Sequence, residues 1–358
     1  MATAQPQKPV TLTQTAFVAR RAVVVFGITL LVYVVGRFFI DSFTQYWIAT
    51  HPTPPPPPTH GFGILPKIAF PTNVGTPTSY KLELPPDRLA PPSDRAYVFF
   101  MPSQRASLLA LSKAKQQAQD LGFLLEPQQI TNDVYRWSHS QPLPATLDYN
   151  IVNGTFTQKL DWQSDPTFLQ TNQLPNEDDA IAMTRTMLQA ANLLGQDIAT
   201  GSAKITYLKA GTSGYTPTVS LSESDFLQVD IFRTQILGTY DVVTDAPTHG
   251  AVRAIITGKQ DTNLRFAMID YKYLPVDYTS AFTYSIISPS EAFVDLRAGK
   301  GYTAAMSQSG TDVTIRTIRL GYYDSFTPQS YLQPIYILEG DGGYIGYVSA
   351  VSPTWEQQ

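Results

Sequence analysis

AVVVFGITLLVYVVG, residues 22–36, is followed by Arg37 and then by Phe38, Phe39 and Ile40 before Asp41 closes the apolar run. At about 1.5 Å per residue, a helix over 22–40 is roughly 28 Å long, close to the roughly 30 Å hydrocarbon core of a bilayer. The run therefore predicts a transmembrane helix, with Phe26, Leu30, Leu31 and Tyr33 among its apolar side chains. Arg37 lies near one end, where its long stem can carry the charge to the headgroups. Tyr46 and Trp47 follow at the depth of an interfacial aromatic belt. A cleavable signal peptide would have a short leader and small residues at the cut. Here 21 residues precede the run, and the flank DSFTQYW has no A-x-A site. A buried core helix would show a polar face. The expectation is an uncleaved signal anchor whose first partner is the lipid bilayer, through residues 22–40.

Arg20 and Arg21, with Lys8 upstream and no acid before them, set the orientation. Positive charge on this side predicts a cytoplasmic tail over 1–21 and an extracytoplasmic remainder, on the plasma (inner) membrane. Residues 41–75 read as a juxtamembrane, proline-rich stalk. Within it HPTPPPPPTH, 51–60, contains Pro54 to Pro58, whose fixed φ and missing amide donors predict a stiff polyproline II spacer. His51 and His60 flank this run and read as ordinary linker residues rather than a metal pair.

The composition of the rest bounds what it can be. Aromatic residues make up 12% of the chain and charged residues 15%, enough apolar material for a large core and too little charge for disorder. There is no cysteine, so disulfides, thiolate nucleophiles and cysteine zinc sites are excluded. Their absence from so large an exterior domain tilts towards a bacterial source. Of the 25 basic residues four (Lys8, Arg20, Arg21, Arg37) lie at or before the anchor, and of the 29 acids only Asp41, so the remainder is net −7. Nucleic acid is a poor partner for such a surface.

Three modules are expected after the stalk, each a largely antiparallel sheet with one packing helix: an α+β chain throughout. The first, 76–165, has alternating Tyr80 to Leu84, the strand AYVFFM (96–101), a helix over 104–121 capped by Ser103 and ended by Gly122, and strands at 134–140, 146–153 and 155–162, with Asn153-Gly154 as a hairpin turn. Pro85, Pro86, Pro91 and Pro92 interrupt it. The second, 166–280, opens with a helix capped by Asn176, with Glu177, Asp178 and Asp179 in its first turn and a stripe of Ile181, Thr184, Leu188, Ala191 and Leu194. Strands follow at 204–210, 226–236, 239–244, 251–257 and 263–274, where Arg233, Arg253 and Arg265 alternate with apolar residues as on a wet sheet face. The third, 281–358, has a short helix capped at Ser288 and strands at 313–325, 331–340 and 343–352, with Asp341-Gly342-Gly343 turning the last hairpin. The helix starts NEDDAIAM and SPSEAFVD raise the question of an internal repeat, though capping chemistry recurs in unrelated helices.

SPSEAFVDLRAGKGY, TIRLGYYDS and YLQPIYILEGDGGYIGYVSAV, together about 70 residues from Ser288 onward, resemble the ending of the YycH/YycI-type regulators. They are similar also to PepSY-like domains, in which a helix opening on an acid-alanine pair precedes strands that close on an apolar hairpin. The resemblance implies a membrane-tethered, extracytoplasmic, non-catalytic domain that modulates a partner such as a sensor kinase or protease. It brings no catalytic residues with it. The stalk and the β-rich middle, 200–280, depart from the pattern.

The motifs of common enzymes are missing: no G-x-S-x-G, H-E-x-x-H, Walker loop or G-x-G-x-x-G occurs. Asp245 and His249 fall around Pro247 and read as a turn. Asp161 and Asp165 flank Trp162 in a strand-ending loop. The expectation is a non-enzymatic chain without cofactor or metal. Its exposed tyrosines, Tyr322, Tyr323, Tyr331, Tyr336, Tyr344 and Tyr347, are the candidate partner surface, since tyrosine offers large contact area at low entropy cost. The expected function is binding or regulation of another envelope or membrane protein. Its alternatives are a self-assembling structural component, a homo-oligomer, and an envelope hydrolase with an Asp/Glu site.

Overall fold

The computed structural model describes residues 12–50, 56–85, 93–103, 108–170, 173–212 and 214–357. Lys8, His51, Pro54, Pro55, Pro86, Pro91, Pro92 and the expected helix start at Gln104 lie outside them. The chain divides into two units, residues 1–57 and 58–358.

The first unit is the helix α1 (Leu12–Thr50). Its stretch Ala16–Trp47 is long and apolar enough to cross a membrane. Phe26, Leu30, Leu31, Tyr33 and Trp47 are all exposed on it, as are Arg20, Arg21 and Arg37. The helix runs well beyond 22–40 at both ends. Neither flank contains proline or glycine, so the hydrogen-bond ladder propagates past the apolar run. Arg37 faces Asp41 one turn on, at 3.8 Å.

In the second unit the modules expected from the sequence interleave. A nine-stranded antiparallel sheet takes its strands from the first two: β3 (Gln128–Gln129), β4 (Val134–His139), β5 (Ala145–Asn150), β6 (Phe156–Leu160), β7 (Ala203–Gly211), β8 (Gly214–Thr218), β9 (Phe226–Ile231), β11 (Val252–Ile256) and β12 (Phe266–Tyr271). Their order is β3-β4-β5-β6-β12-β11-β9-β7-β8, so β6 and β12 join the halves. The boundary expected at 165 therefore falls within one continuous sheet.

An eight-stranded sheet draws on all three segments. It holds β1 (Ser79–Leu82), β2 (Arg95–Phe100), β10 (Val242–Thr244), β13 (Asp277–Ser285), β14 (Tyr302–Ala305), β15 (Asp312–Asp324), β16 (Tyr331–Gly340) and β17 (Tyr344–Ser349). β1 and β10 pair in parallel with opposite ends of β15, and β2 bridges β13 to β16. The modules drawn at 76–165, 166–280 and 281–358 are thus cut across by strand pairing between residues far apart in sequence.

Each sheet is covered by its own helices. α2 (Ala110–Asp120), α3 (Glu177–Ala190) and the short α4 (Gln196–Ala199) bury Ala114, Ala118, Ala180, Leu188 and Ile198 against the nine-stranded sheet. α5 (Pro289–Arg297) buries Ala292, Phe293 and Leu296 against Val313, Leu338 and Val348. Ser103 does not cap α2, which begins at Ala110 behind Leu109 with no side-chain cap bond, whereas the caps expected for α3 and α5 do form. Asn176 accepts the Asp179 amide, and Ser288 and Glu291 make a reciprocal capping box. The Asn153-Gly154 turn is wider than two residues: β5 stops at Asn150, β6 begins at Phe156, and Gly154 takes φ +78° between them.

Residues 58–75, expected as stalk, belong to the folded unit. Thr59 and His60 donate their amides to the Thr283 carbonyl, at 3.1 and 3.0 Å, and Leu65 is completely buried. His60 stacks on Trp355 with ring centroids 3.7 Å apart.

Candidate binding cleft

The tyrosines expected at the surface are in the core. Tyr322, Tyr323, Tyr336, Tyr344 and Tyr347 are each at most 1% exposed, and Tyr331 is half-buried. Residues 62–70 cover Tyr323, Tyr331 and Tyr347, α5 covers Tyr336 and Tyr344, and Phe99, Ile236 and Leu274 surround Tyr322. Phe70 stacks on Tyr302 and meets Tyr323 edge-on at 4.9 Å, and Phe62 packs on Tyr331 at 4.7 Å. With α5 on one face and residues 62–70 on the other, the alternate positions of β15, β16 and β17 are both enclosed. Tyr336 donates to the Ile287 carbonyl at 2.7 Å and Tyr323 to Asp245. Five of the six are therefore core residues rather than the exposed set expected of them.

Arg233, expected on a wet face, is also buried. It is 3% exposed and donates to Asp324 at 2.7 Å, to Asp197 at 2.5 Å and to the Leu274 carbonyl, with the Tyr273 ring 4.4 Å from its guanidinium. Asp245 and His249 do lie around a turn and make no pair. His249 faces Asp270 at 3.2 Å, while Asp245 accepts from Tyr323 and from the Phe326 amide. Trp162 donates to the Tyr215 hydroxyl of β8 at 3.0 Å and packs on Phe226, so it ties its loop to the sheet, while Asp165 accepts from Thr167 within the loop. Among the described residues no three His, Asp or Glu side chains converge where they could hold a metal ion.

The open site is elsewhere, between α2 and α3. A cavity of about 810 Å³ lies over the nine-stranded sheet. Its walls are the end of α2 (Gln119 to Gly122), one face of α3 (Ala182, Met183, Thr186, Met187, Ala190) and the loop from Thr257 to Arg265. Its floor is His139, Gln158 and Ile269. A second cavity of about 530 Å³ lies further along the same two helices, lined by Lys113, Gln117, Tyr149, Asn192 and Tyr271. There burial pushes the Tyr149 phenol up to about 12, so it remains protonated and donates to Gln117.

Gln158 is the unusual residue of the floor. Strand alternation turns Phe156, Gln158 and Leu160 towards the helices, and all three are buried. The cross-strand neighbours of Gln158 are Leu147 and Ile269, both fully buried. Gln158 is 8% exposed, yet its Oε1 has no hydrogen-bond partner. Such an acceptor costs about 1–3 kcal/mol. His139 Nδ1 and Arg265 Nε, which line the same cavity, are likewise buried and unpartnered. Arg265 uses its Nη2 on the Gln260 carbonyl at 3.0 Å. Asp120 and Asp179 also line the cavity, and each accepts from a neighbouring amide, of Gln116 and Asn176.

Asp179 reads in the sequence only as a first-turn acid and Arg265 as a sheet-face arginine, and nothing there marks Gln158. The available signal was a glutamine at an inward position of an alternating strand, between Phe156 and Leu160. The methionines Met183 and Met187, one helical turn apart beside the buried stripe, were a second.

No family model matches the chain. No curated protein matches it. Among solved structures, an uncharacterized protein from Eubacterium rectale aligns at 11% identity over 79% of this chain and 92% of its own, with a TM-score of 0.35. The YpeB C-terminal domain of Bacillus megaterium aligns at 11% identity over 72% of this chain and 97% of its own, with a TM-score of 0.31. Likeness at this level extends to no particular function.

Proposed function

We propose that this chain is a membrane-anchored, extracytoplasmic binding or regulatory module that engages another envelope or membrane protein through the cleft between α2 and α3. The observation that carries the reading is Gln158. Its side chain lines the cavity while its Oε1 is buried without a hydrogen-bond partner, a cost in stability that folded domains keep at few positions. The helix α1 supports the anchored part of the reading, and Arg20 and Arg21 support an N-terminus in the cytoplasm.

The test is photocrosslinking in the native membrane. A photoreactive residue at Ala182 or Thr186, both exposed on the cleft wall, is expected to capture a second protein. The same residue at Gln189, exposed on α3 away from the cavity, is expected to capture far less. Equal capture from all three positions, or recovery of this chain alone, would defeat the reading and favour a self-assembling component.

A further inference from the structure

We propose that the folded unit rests on the bilayer surface through an apolar rim around the point where the chain enters it; this goes beyond the cleft and rests on the anchored reading of α1 above. Three exposed side chains build the rim. Ile64 is 61% exposed, Tyr97 41% and Phe282 38%. All three adjoin residues 59–61, where the chain enters. The Thr59 and His60 amides bond the Thr283 carbonyl. Tyr97 stands opposite Thr283 in the β2–β13 pair, and Phe282, one residue before Thr283, turns to the other face. The Phe282 ring lies so close over Gly61 that a β-carbon would not fit there. A tight turn, closed by the Gly63 amide on the His60 carbonyl at 3.0 Å, then leads to Ile64.

Two features select lipid as the occupant. The first is reach. α1 ends at Thr50 and the folded unit begins at Pro58, so residues 51–57, seven in all, join them. Seven residues span at most about 25 Å when fully extended. So short a tether keeps the membrane surface at a high effective concentration around the entry point, enough to populate weak contacts. The second is chemistry. Behind the rim Phe62 packs on Phe100, Tyr331 and Phe282, with ring centroids 6.4, 4.7 and 4.8 Å away, and Trp355 stacks on His60. Amphipathic aromatic side chains concentrate at membrane–water interfaces. The rim carries no charge, and Arg95, on the same face as Tyr97, is already paired with Asp94 at 2.7 Å. The contact is therefore apolar and needs no anionic lipid.

The experiment uses the full chain in phosphatidylcholine vesicles. Because the chain has no cysteine, a nitroxide can be placed on a single introduced one: Ile64→Cys, Tyr97→Cys, Val219→Cys or Leu31→Cys. Val219, 90% exposed beside the edge strand β8, is the aqueous reference, and Leu31 in α1 the lipid one. Power saturation compares collisions with oxygen, which partitions into lipid, and with a water-soluble nickel chelate. Relative to Val219, the labels at Ile64 and Tyr97 are expected to gain oxygen collisions and lose nickel collisions, shifting towards Leu31. The shift should persist in about 1 M salt, where the Debye length is about 3 Å. Adding Ile64→Glu should abolish it at Tyr97, because a carboxylate resists dehydration, while leaving Tm little changed at so exposed a site.

Water-like values at Ile64 and Tyr97 would overturn the inference, as would a shift lost in high salt, equalled at Val219 or unaffected by Ile64→Glu. So would loss of collisions with both agents, which would seat the rim against protein such as a second copy. If Leu31 reads as lipid-embedded and the rim does not, the inference falls and the anchor stands. If Leu31 also reads as aqueous, both fall.

Discussion

Asp270 carries the clearest electrostatic consequence of the fold. It lies on the face of β12 opposite Ile269 and Tyr271, accepts from Thr157 at 2.7 Å, and meets His249 at 3.2 Å and Lys272 at 3.1 Å. Burial by itself would raise its pKa. The hydrogen bonds from His249 and Thr157, with the charge and hydrogen bond of Lys272, outweigh that effect and hold it at about 2. An unfolded aspartate titrates near 3.9, so the folded value is the depressed one. The stabilisation is therefore complete above about pH 5 and is lost as pH falls through about 4 towards 2. Its size is about 2 kcal/mol. Urea unfolding of the wild type at a series of pH values should show this loss, and Asp270→Asn should flatten the acid limb by a similar amount. Identical limbs for the two proteins would refute the assignment.

At the scale of elements, capping was the most legible chemistry. Asn176, Ser288 and Glu291 act through neighbours three residues away, so their roles can be read from a short window. In α5 the Ser288 side chain accepts the Glu291 amide at 3.2 Å, and Glu291 accepts the Ser288 amide at 2.7 Å. Ser288→Ala is expected to cost about 1 kcal/mol, and Ser288→Asp, which keeps the acceptor, much less. Equal losses in thermal unfolding would show that the cap is not the stabilising contact. α1 shows the limit of local reading. The apolar run marks what a bilayer would hold, but Leu12–Thr50 reflects helix propagation through flanks that contain nothing to stop it. β8 went unread because its strand, with Pro217, is short and lies at a sheet edge, where proline is tolerated.

For the folded unit as a whole, Arg233 is a buried ionic tie between the two sheets. Asp197 comes from α4, packed on the nine-stranded sheet, and Asp324 from the end of β15 in the eight-stranded one. One buried cation serves two buried carboxylates. Arg233→Met would leave both unpaired and should destabilise by about 3–5 kcal/mol. Adding Asp197→Leu and Asp324→Leu should recover most of that loss, because the uncompensated charges would go with them. Chemical denaturation of the single and triple variants checks this, and a mild single variant would rule the tie out. Some properties of this chain needed only its sequence: the helix of the anchor region, the strand-rich α+β class, the caps of α3 and α5 and most strand positions. Each depends on residues within a few positions of one another, where period, propensity and capping act. What covers each face of a sheet was decided by tertiary structure alone. Residues 58–75 return to enclose Tyr323, Tyr331 and Tyr347, Asp324 reaches across to Arg233, and α2 and α3 leave a cavity over the sheet that Gln158 lines. Alternation along a strand gives two faces, but only packing against distant segments determines which of them meets water.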